Sequence, residues 1–478
     1  MYSTFNPIGK IIDNAKAKVF NERLGFKPIF EIIEEYIIKH QLITGGDIGL
    51  HLLNYSKPID ELIRINHQIV YNIYTTQPFK SSVEITNNIY QWIKKHNIKD
   101  KYKHFINSLM TKMIVYNKHY RIEIMSRDIV DIFMEEKFKE IHLTSVLPLV
   151  KTPSFLNIVD GFLTKFPFQV LSPETYLISI YQKLYLPTFY TYWSSLLIYE
   201  AELIKMIVDK PLNVIDNIMD GGYDKQQINT ITLIKKIILD SLFYENNENN
   251  ESPILIGEIA IDFVNISLSL IKSDIKNQYL LKRIQIISND MSAEYKEIKN
   301  LITKFDSQLL ISARQHTTKI FSDERLLRNT IYIAFGNYEI PIVDIYNSAE
   351  YDCIPYNTIS HINSQSDNKL IKVGNPAVIL RFLFIEYWIV NMIQKSTSSN
   401  IIDPIFRVPR TQILMKYIID FHNILPNQNI PLFDDKYYGV YSDPDIANKI
   451  LIQSKKIHDF KYQPILYEIK YNKLQEFN

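Results

Sequence analysis

The sequence has one cysteine, Cys353, in 478 residues. That excludes an intramolecular disulfide and any multi-cysteine zinc or iron–sulfur centre. Glycine is also scarce, with 12 in all, so two adjacent glycines stand out. Neither sign of charge is in surplus: 53 Lys and Arg face 52 Asp and Glu, a net charge of +1. Such a balance gives no global attraction to nucleic acid, and an anion-binding surface would have to be a local patch. A Gly-x4-Gly-Lys phosphate loop, a His-Glu-x-x-His zinc helix and a Gly-x-Gly-x-x-Gly fingerprint are all missing. No charged-then-apolar leader opens the chain, and we expect a soluble intracellular protein. The most apolar stretch, Val378 to Ile393, contains Arg381 and Glu386. It reads as a core helix and not as a membrane span.

What is present begins with the run from Gln41 to Leu53. An apolar, β-favouring segment ends in Gly45-Gly46, and helical spacing follows at once. Two glycines allow a sharp turn and a close approach to a ligand, because no Cβ intervenes. Asp47 falls in the first turn of that helix, where the dipole favours a negative charge. Upstream, Phe30, Ile33, Tyr36 and Ile37 share one helical face. Downstream, a strand runs from Ile69 to Thr76, residues 81–96 form a helix, and Met113–Tyr116 with Tyr120–Ile124 form a hairpin. Ser172 and Pro173 open a helix as N-cap and first residue. Further helices cover Trp193 to Val208 and 227–242. The polar stretch Asn246 to Glu251 reads as a linker.

Beyond that linker the first pattern returns. Ile254 to Phe263 matches Ile43 to Leu52 around Gly257 and Glu258. Ile284 to Asn289 answers Tyr71 to Thr76, and Ile331 to Phe335 with Tyr338 to Ile345 answers the hairpin. Three correspondences in the same order predict a tandem repeat of one α/β unit.

These features resemble the catalytic subunits of viral poly(A) polymerases, in the giant-virus and asfarvirus branch distantly related to the poxvirus enzyme. The resemblance rests on Gly45-Gly46 with its helix, on Ile73 to Thr75, and on Pro173 to Pro187 ahead of Trp193. In the second half it rests on Ile342 to Tyr356 and on Val373-Gly374 running into Arg381, Phe382 and Trp388. It implies an α/β (α+β) fold of tandem nucleotidyltransferase-like domains, each a mixed sheet flanked by helices, with helical connecting segments. The expected division is an N-terminal helical segment at 1–40, a first domain at 41–171 and a helical connecting region at 172–245. A linker at 246–252 then leads to a second, degenerate domain at 253–478.

The resemblance also implies a chemistry. Adenylyl transfer uses two divalent cations that activate the attacking 3′-hydroxyl and stabilise the leaving pyrophosphate. The family holds them with two carboxylates at alternate positions of the strand after the Gly-Gly helix, and a third on a nearby strand. Alternate residues of a strand share a face. In this sequence the paired positions fall on Val70 and Asn72, and the third at or near Glu123. Val70 has no ligand atom and Asn72 only a neutral carbonyl, so one carboxylate would face two Mg2+ ions. In the second copy the paired positions fall on Arg283 and Gln285, with Asp344 and Asp352 read as structural.

A catalytically inactive or regulatory relative is therefore expected, with no resident cofactor. ATP with Mg2+ or Mn2+ would serve only if the enzyme were active with displaced carboxylates such as Asp60, Glu61 or Glu123. Gly45 and Gly46 remain the nucleotide-binding candidates. The densest basic stretch includes Lys94, Lys95, Lys99, Lys101 and Lys103, with Tyr102 and Phe105 interleaved, and suits an RNA backbone with bases stacked on rings. The expected partners are RNA and a second subunit, either this chain or an active poly(A) polymerase, and no membrane. A third reading is a virion structural protein that kept the fold. The resemblance implies residence in the viral factory of the host cytoplasm or in the virion.

Overall fold

The computed structural model describes residues 27–53, 70–96, 110–116, 119–128, 137–149, 155–158, 168–185, 193–208, 225–242, 244–245, 252–267, 282–319, 325–335, 338–347, 354–360, 369–397, 409–427, 437–438, 466–470 and 473–477. The chain divides into two compact units. One takes in the chain through Pro173, the other Glu174–Lys319 and Arg325–Ser454.

In the first unit α1 (Lys27–Lys39) leads into β1 (Ile43–Gly45), α2 (Gly46–Leu53), β2 (Tyr71–Thr75) and α3 (Pro78–His96). Then come β3 (Met110–Tyr116), β4 (His119–Asp128), β5 (Lys137–Pro148), β6 (Phe155–Ile158) and β7 (Phe168–Leu171). The sheet order is β3-β4-β5-β2-β1-β7-β6. Strand β2 lies antiparallel to β1 and parallel to β5. Helix α1 places Ile29, Phe30, Ile33 and Ile37 in the core, the helical spacing visible in the sequence. Tyr71, Ile73, Ile85, Ile89, Ile122, Val146 and Val170 are buried with them.

The second unit contains α4 from Glu174 on (the helix spans Pro173–Tyr185), α5 (Trp193–Val208) and α6 (Lys225–Leu242). It continues through β8 (Tyr244–Glu245), β9 (Ile254–Ile256), α7 (Gly257–Ser267), β10 (Ile284–Ser288) and α8 (Met291–Phe305). The long strands β11 (Leu310–Lys319), β12 (Arg325–Phe335) and β13 (Tyr338–Asn347) follow, then β14 (Ile354–Ser360) and β15 (Lys369–Gly374). Helices α9 (Pro376–Thr397) and α10 (Arg410–Asn427) and strand β16 (Tyr437–Tyr438) complete it. Strands β17 (Leu466–Lys470) and β18 (Lys473–Phe477) pair as a separate hairpin.

The second sheet runs β11-β12-β13-β10-β9-β15-β14-β16, with β8 on β15. Matched strand for strand, its first seven positions repeat the order of the first sheet. The register repeats as well: Gly45 faces Asn72, and Ile256 faces Gln285, each one residue before the turning glycine. The exit from the second strand is copied in its hydrogen bonds. Thr75 Oγ1 accepts the Gln77 N–H at 3.2 Å, and Ser288 Oγ accepts the Asp290 N–H at 3.1 Å. The tandem repeat is therefore present as two mixed sheets flanked by helices.

Helix α9 shows how an apolar run with two charges is accommodated. Its window Pro376–Gln394 is long and apolar enough to cross a membrane, and 78% of it is buried. Asn375 caps it, accepting the Val378 N–H at 3.1 Å, with Pro376 at the first position. Arg381 and Glu386 are buried in the unit's core. The polar run 246–251 and Asp352 lie outside the described residues.

Candidate functional site

Each copy turns from its first strand into a helix at a glycine in the left-handed region: Gly46 at φ +70° and Gly257 at φ +71°. That conformation disfavours any side chain. Gly45 is needed for space, since a Cβ there would stand 2.9 Å from the Tyr74 ring and 3.1 Å from Leu171. Both members of the sequence's glycine pair therefore have a backbone reason.

The strand β2 residues singled out by the sequence converge on this turn. A Cβ on Gly46 would lie 3.0 Å from the Val70 carbonyl oxygen and 3.0 Å from the Asn72 amide carbon. Val70 is buried and Asn72 half-buried. Glu123 is not beside them. It lies on β4, opposite Lys112 and His142, and β5 separates β4 from β2. The residue next to Asn72 is Ser145, on the parallel strand β5. The hairpin β3–β4 was legible in the sequence, and the third position was expected on its second strand; the strand beside β2 is the one after it, β5. The second copy carried the missing signal, because Asp344 on β13 is the residue beside Gln285.

The positions that answer the expected carboxylates are thus Val70, Asn72 and, on the strand beside β2, Ser145; the side chain of Asp47, which follows Gly46, lies outside the described residues. An isopropyl group, a neutral amide and, by residue type, a hydroxyl offer no anionic oxygen to a divalent cation. Two hard cations demand carboxylates for both charge and coordination. These residues do not fit a two-metal centre. Among the described residues no group of three or more His, Cys, Asp or Glu is arranged to hold a metal. Asp60 and Glu61 lie outside the described residues, as do Lys99, Lys101 and Lys103 and the side chains of Glu123 and Lys94. Lys95 is exposed near the end of α3.

The second copy fills the same place with charge. Arg283, just before β10, and Gln285 within it are two apart and correspond to Val70 and Asn72, placed the same way about β2. Arg283 Nη1 donates to Asp344 Oδ2 at 3.0 Å and lies 3.6 Å from Glu386 Oε1. Thr330 Oγ1 donates to Asp344 Oδ1 at 2.6 Å, and Arg328 Nε approaches the same oxygen at 3.9 Å. Gln285 Nε2 donates to Glu386 Oε2 at 3.0 Å. Arg410 donates to Glu386 Oε1 from Nη2 at 2.9 Å and from Nε at 3.2 Å. Arg410 also pairs with Glu258, in the first turn of α7.

These groups perturb one another strongly. Burial pushes the Asp344 carboxyl up, and Arg283, Arg328 and Thr330 outweigh it, so its pKa ends below the usual value. Burial opposes the Glu386 charge too, and Arg410 and Arg283 again pull its pKa down. Both carboxylates are held ionised. The sequence reads Asp344 as structural, a cap or an ion-pair partner, and the structure pairs it with Arg283. Sequence reasoning missed Glu386, Arg410 and Glu258, whose meeting is tertiary. The one available signal was Arg381 and Glu386 inside so apolar a helix, because charges buried there need partners.

No protein-family model matches the chain. Among curated proteins it is similar to uncharacterized proteins of African swine fever virus. The identity is 25% over 461 residues for the Pretoriuskop tick isolate, covering 94% of this chain and 95% of the relative. For the Malawi tick isolate it is 26% over 461 residues, with the same coverage. Among solved structures the chain is similar to the crystal structure of the Megavirus polyadenylate synthase. The TM-score is 0.54 at 14% identity, covering 96% of this chain and 84% of that one. The chain has a viral poly(A) polymerase-like, nucleotidyltransferase-like fold.

Proposed function

We propose that this chain is a non-catalytic relative of the viral poly(A) polymerases that serves mRNA 3′-polyadenylation by binding RNA or pairing with an active subunit. One observation carries the reading: the paired positions fall on Val70 and Asn72, which meet the Gly46 turn, and the residue beside Asn72 on the parallel strand is Ser145, none of these three a carboxylate. The turn itself is retained. A chain that had lost nucleotide transfer but kept its architecture would keep the backbone requirement at Gly45 and Gly46 and lose the acids, as here.

The deciding assay incubates the purified full-length chain with an oligo(A) primer, ATP and either Mg2+ or Mn2+. The expected result is no extension of the primer. Robust extension would overturn the reading and favour an active enzyme with displaced carboxylates, to be tested next by Glu123→Ala. The RNA arm uses poly(A) binding across a salt series. Binding through phosphates weakens steeply as salt rises, because neutralised phosphates release counterions. Substituting Lys94, Lys95 and Lys101 by Glu should weaken that binding. No salt-sensitive binding at all would favour a virion structural role or a purely protein partner.

A further inference from the structure

We infer that in the second copy the Arg283 guanidinium permanently occupies the place of a divalent cation, making this half of the molecule a cation-independent pseudosite. This concerns the second unit alone, so primer extension by the first copy would leave it standing.

The position of Arg283 comes first. It stands two residues before Gln285, immediately ahead of β10. The resemblance puts the paired metal positions of this copy on Arg283 and Gln285, and the sheet sets Asp344 directly beside the second of them, on the parallel strand β13. Only Asp344 is still acidic, and the charged group against it is the Arg283 guanidinium, at 3.0 Å. A planar, always-charged donor fork matches carboxylate geometry and cannot be lost by deprotonation, which suits it to permanent occupation.

The charge around the site closes on itself. Arg283, Arg328 and Arg410 face Asp344, Glu386 and Glu258. The two oxygens of Asp344 are taken by Arg283 on one side and by Thr330 and Arg328 on the other. Those of Glu386 are taken by Arg410 and by Gln285. An incoming divalent cation would add two positive charges to a balanced set and displace existing donors. Nor is there a vacancy for phosphate. The Glu258 carboxylate lies in the first turn of α7, where a phosphate would approach the backbone amides. The Gln285 side chain lies over the turn, with Oε1 only 1.8 Å from where a Cβ of Gly257 would be. In the first copy the Asn72 amide leaves 3.0 Å at the same point. The glycine of the second copy now serves the packing of Gln285.

The test restores what the arginine replaces. Full-length protein carrying Arg283→Asp and Gln285→Asp is compared with the unaltered chain for Mn2+ binding by electron paramagnetic resonance and by thermal unfolding. The double variant should bind Mn2+ at least about tenfold more tightly, with a matching rise in unfolding temperature, since metal binding couples to folding. Adding Asp344→Asn should abolish both gains. Two outcomes overturn the inference: Mn2+ binding by the unaltered chain that depends on Asp344, or a folded double variant indifferent to Mn2+. If the double variant does not fold without metal, folding on Mn2+ addition supports the inference. If it folds under neither condition, Arg283→Gly is measured with low-millimolar guanidinium. Recovery of its unfolding temperature by guanidinium, where the unaltered chain shows none, supports a guanidinium in that place; indifference overturns it.

Discussion

The two turning glycines sit in the same register and the same conformation, yet the residues facing them have diverged in opposite directions. Beside Gly46 the chain has Val70, Asn72 and Ser145, small and uncharged. Beside Gly257 it has Arg283, Gln285 and Asp344, tied into buried ion pairs that reach Glu386, Arg410 and Glu258. At these three positions the first copy carries no charge, and the second carries charges paired with one another. Uncharged positions cost little to maintain. A buried charge set is stable only while complete, because each group depends on partners for the solvation it has lost. The second copy should therefore be the fragile one at this point, and the following experiments rank the difference.

The largest effect is expected from Arg410→Ala. It strips Glu386 and Glu258 of their shared guanidinium, and breaking a buried pair from one side costs about 3–5 kcal/mol. Urea unfolding should show a large drop for the transition that reports the second unit. The corresponding probe of the first copy, Asn72→Ala, should cost below about 1 kcal/mol, since Asn72 is only half-buried and uncharged. Equal losses in the two would end the distinction drawn here.

The glycines sharpen it next. Gly46→Ala and Gly257→Ala both force a side chain into the left-handed region, at about 1–2 kcal/mol each. At Gly257 the new methyl would also evict the Gln285 side chain from 1.8 Å. Gln285 would then lose its bond to Glu386, and an unmade buried hydrogen bond costs about 1–3 kcal/mol. Gly257→Ala should thus exceed Gly46→Ala in denaturant unfolding by roughly that margin.

Much of this comparison was legible in the sequence. Left-handed glycines, Pro at a helix start and alternating strands are local signals, which is why both turns, helix α5 and the repeat could be read from residues alone. The positions Val70 and Asn72 came from the resemblance at Ile73 to Thr75, and both lie against the Gly46 turn. Ser145 could not be read. It belongs to a strand that reaches β2 in parallel, and a parallel neighbour is set by a crossover that no short pattern encodes. The charge set of the second copy was hidden for the same reason: Glu258, Asp344, Glu386 and Arg410 come from four separate elements and Arg283 from the residue just before β10. Only the oddity of charges inside α9 hinted at it.

Acid should act on the copies unequally. Asp344 and Glu386 have pKa values lowered by their arginines, against a burial effect of opposite sign. A carboxylate with a depressed folded pKa adds stability above its unfolded value, about 4. That stability is lost as pH falls through the folded value, because the native state must then take up protons it resists. Unfolding of the second unit should steepen below about pH 4. Asp344→Asn should flatten that slope while lowering stability at neutral pH. Val70, Asn72 and Ser145 in the first copy offer no equivalent group.

The smallest effect comes from the exit of the second strand, where the copies share a hydrogen-bonded turn and differ in one helical residue. Thr75 Oγ1 lies 3.5 Å from Ser81 Oγ in the first copy, whereas Ser288 Oγ donates to Glu294 Oε1 at 3.3 Å in the second. Burial, then the nearby Glu297, raise the Glu294 pKa from 4.5 to about 7, with the Ser288 bond opposing them. The sign is the reverse of Asp344. A raised folded pKa means the native state binds more protons than the unfolded chain between those two values, so stability declines as pH rises from 4.5 toward 7. Glu294→Gln should remove that decline and leave the protein more stable at pH 8 than the unaltered chain. The gain should stay below about 1 kcal/mol, because solvent screens a partly exposed group. Thermal unfolding across that range checks it, with Ser81→Ala in the first copy as the control that should leave the pH profile unmoved. A profile unchanged by Glu294→Gln would mean that the charge at this turn is solvated in both states. The difference in charge between the two strand exits would then carry no energetic weight.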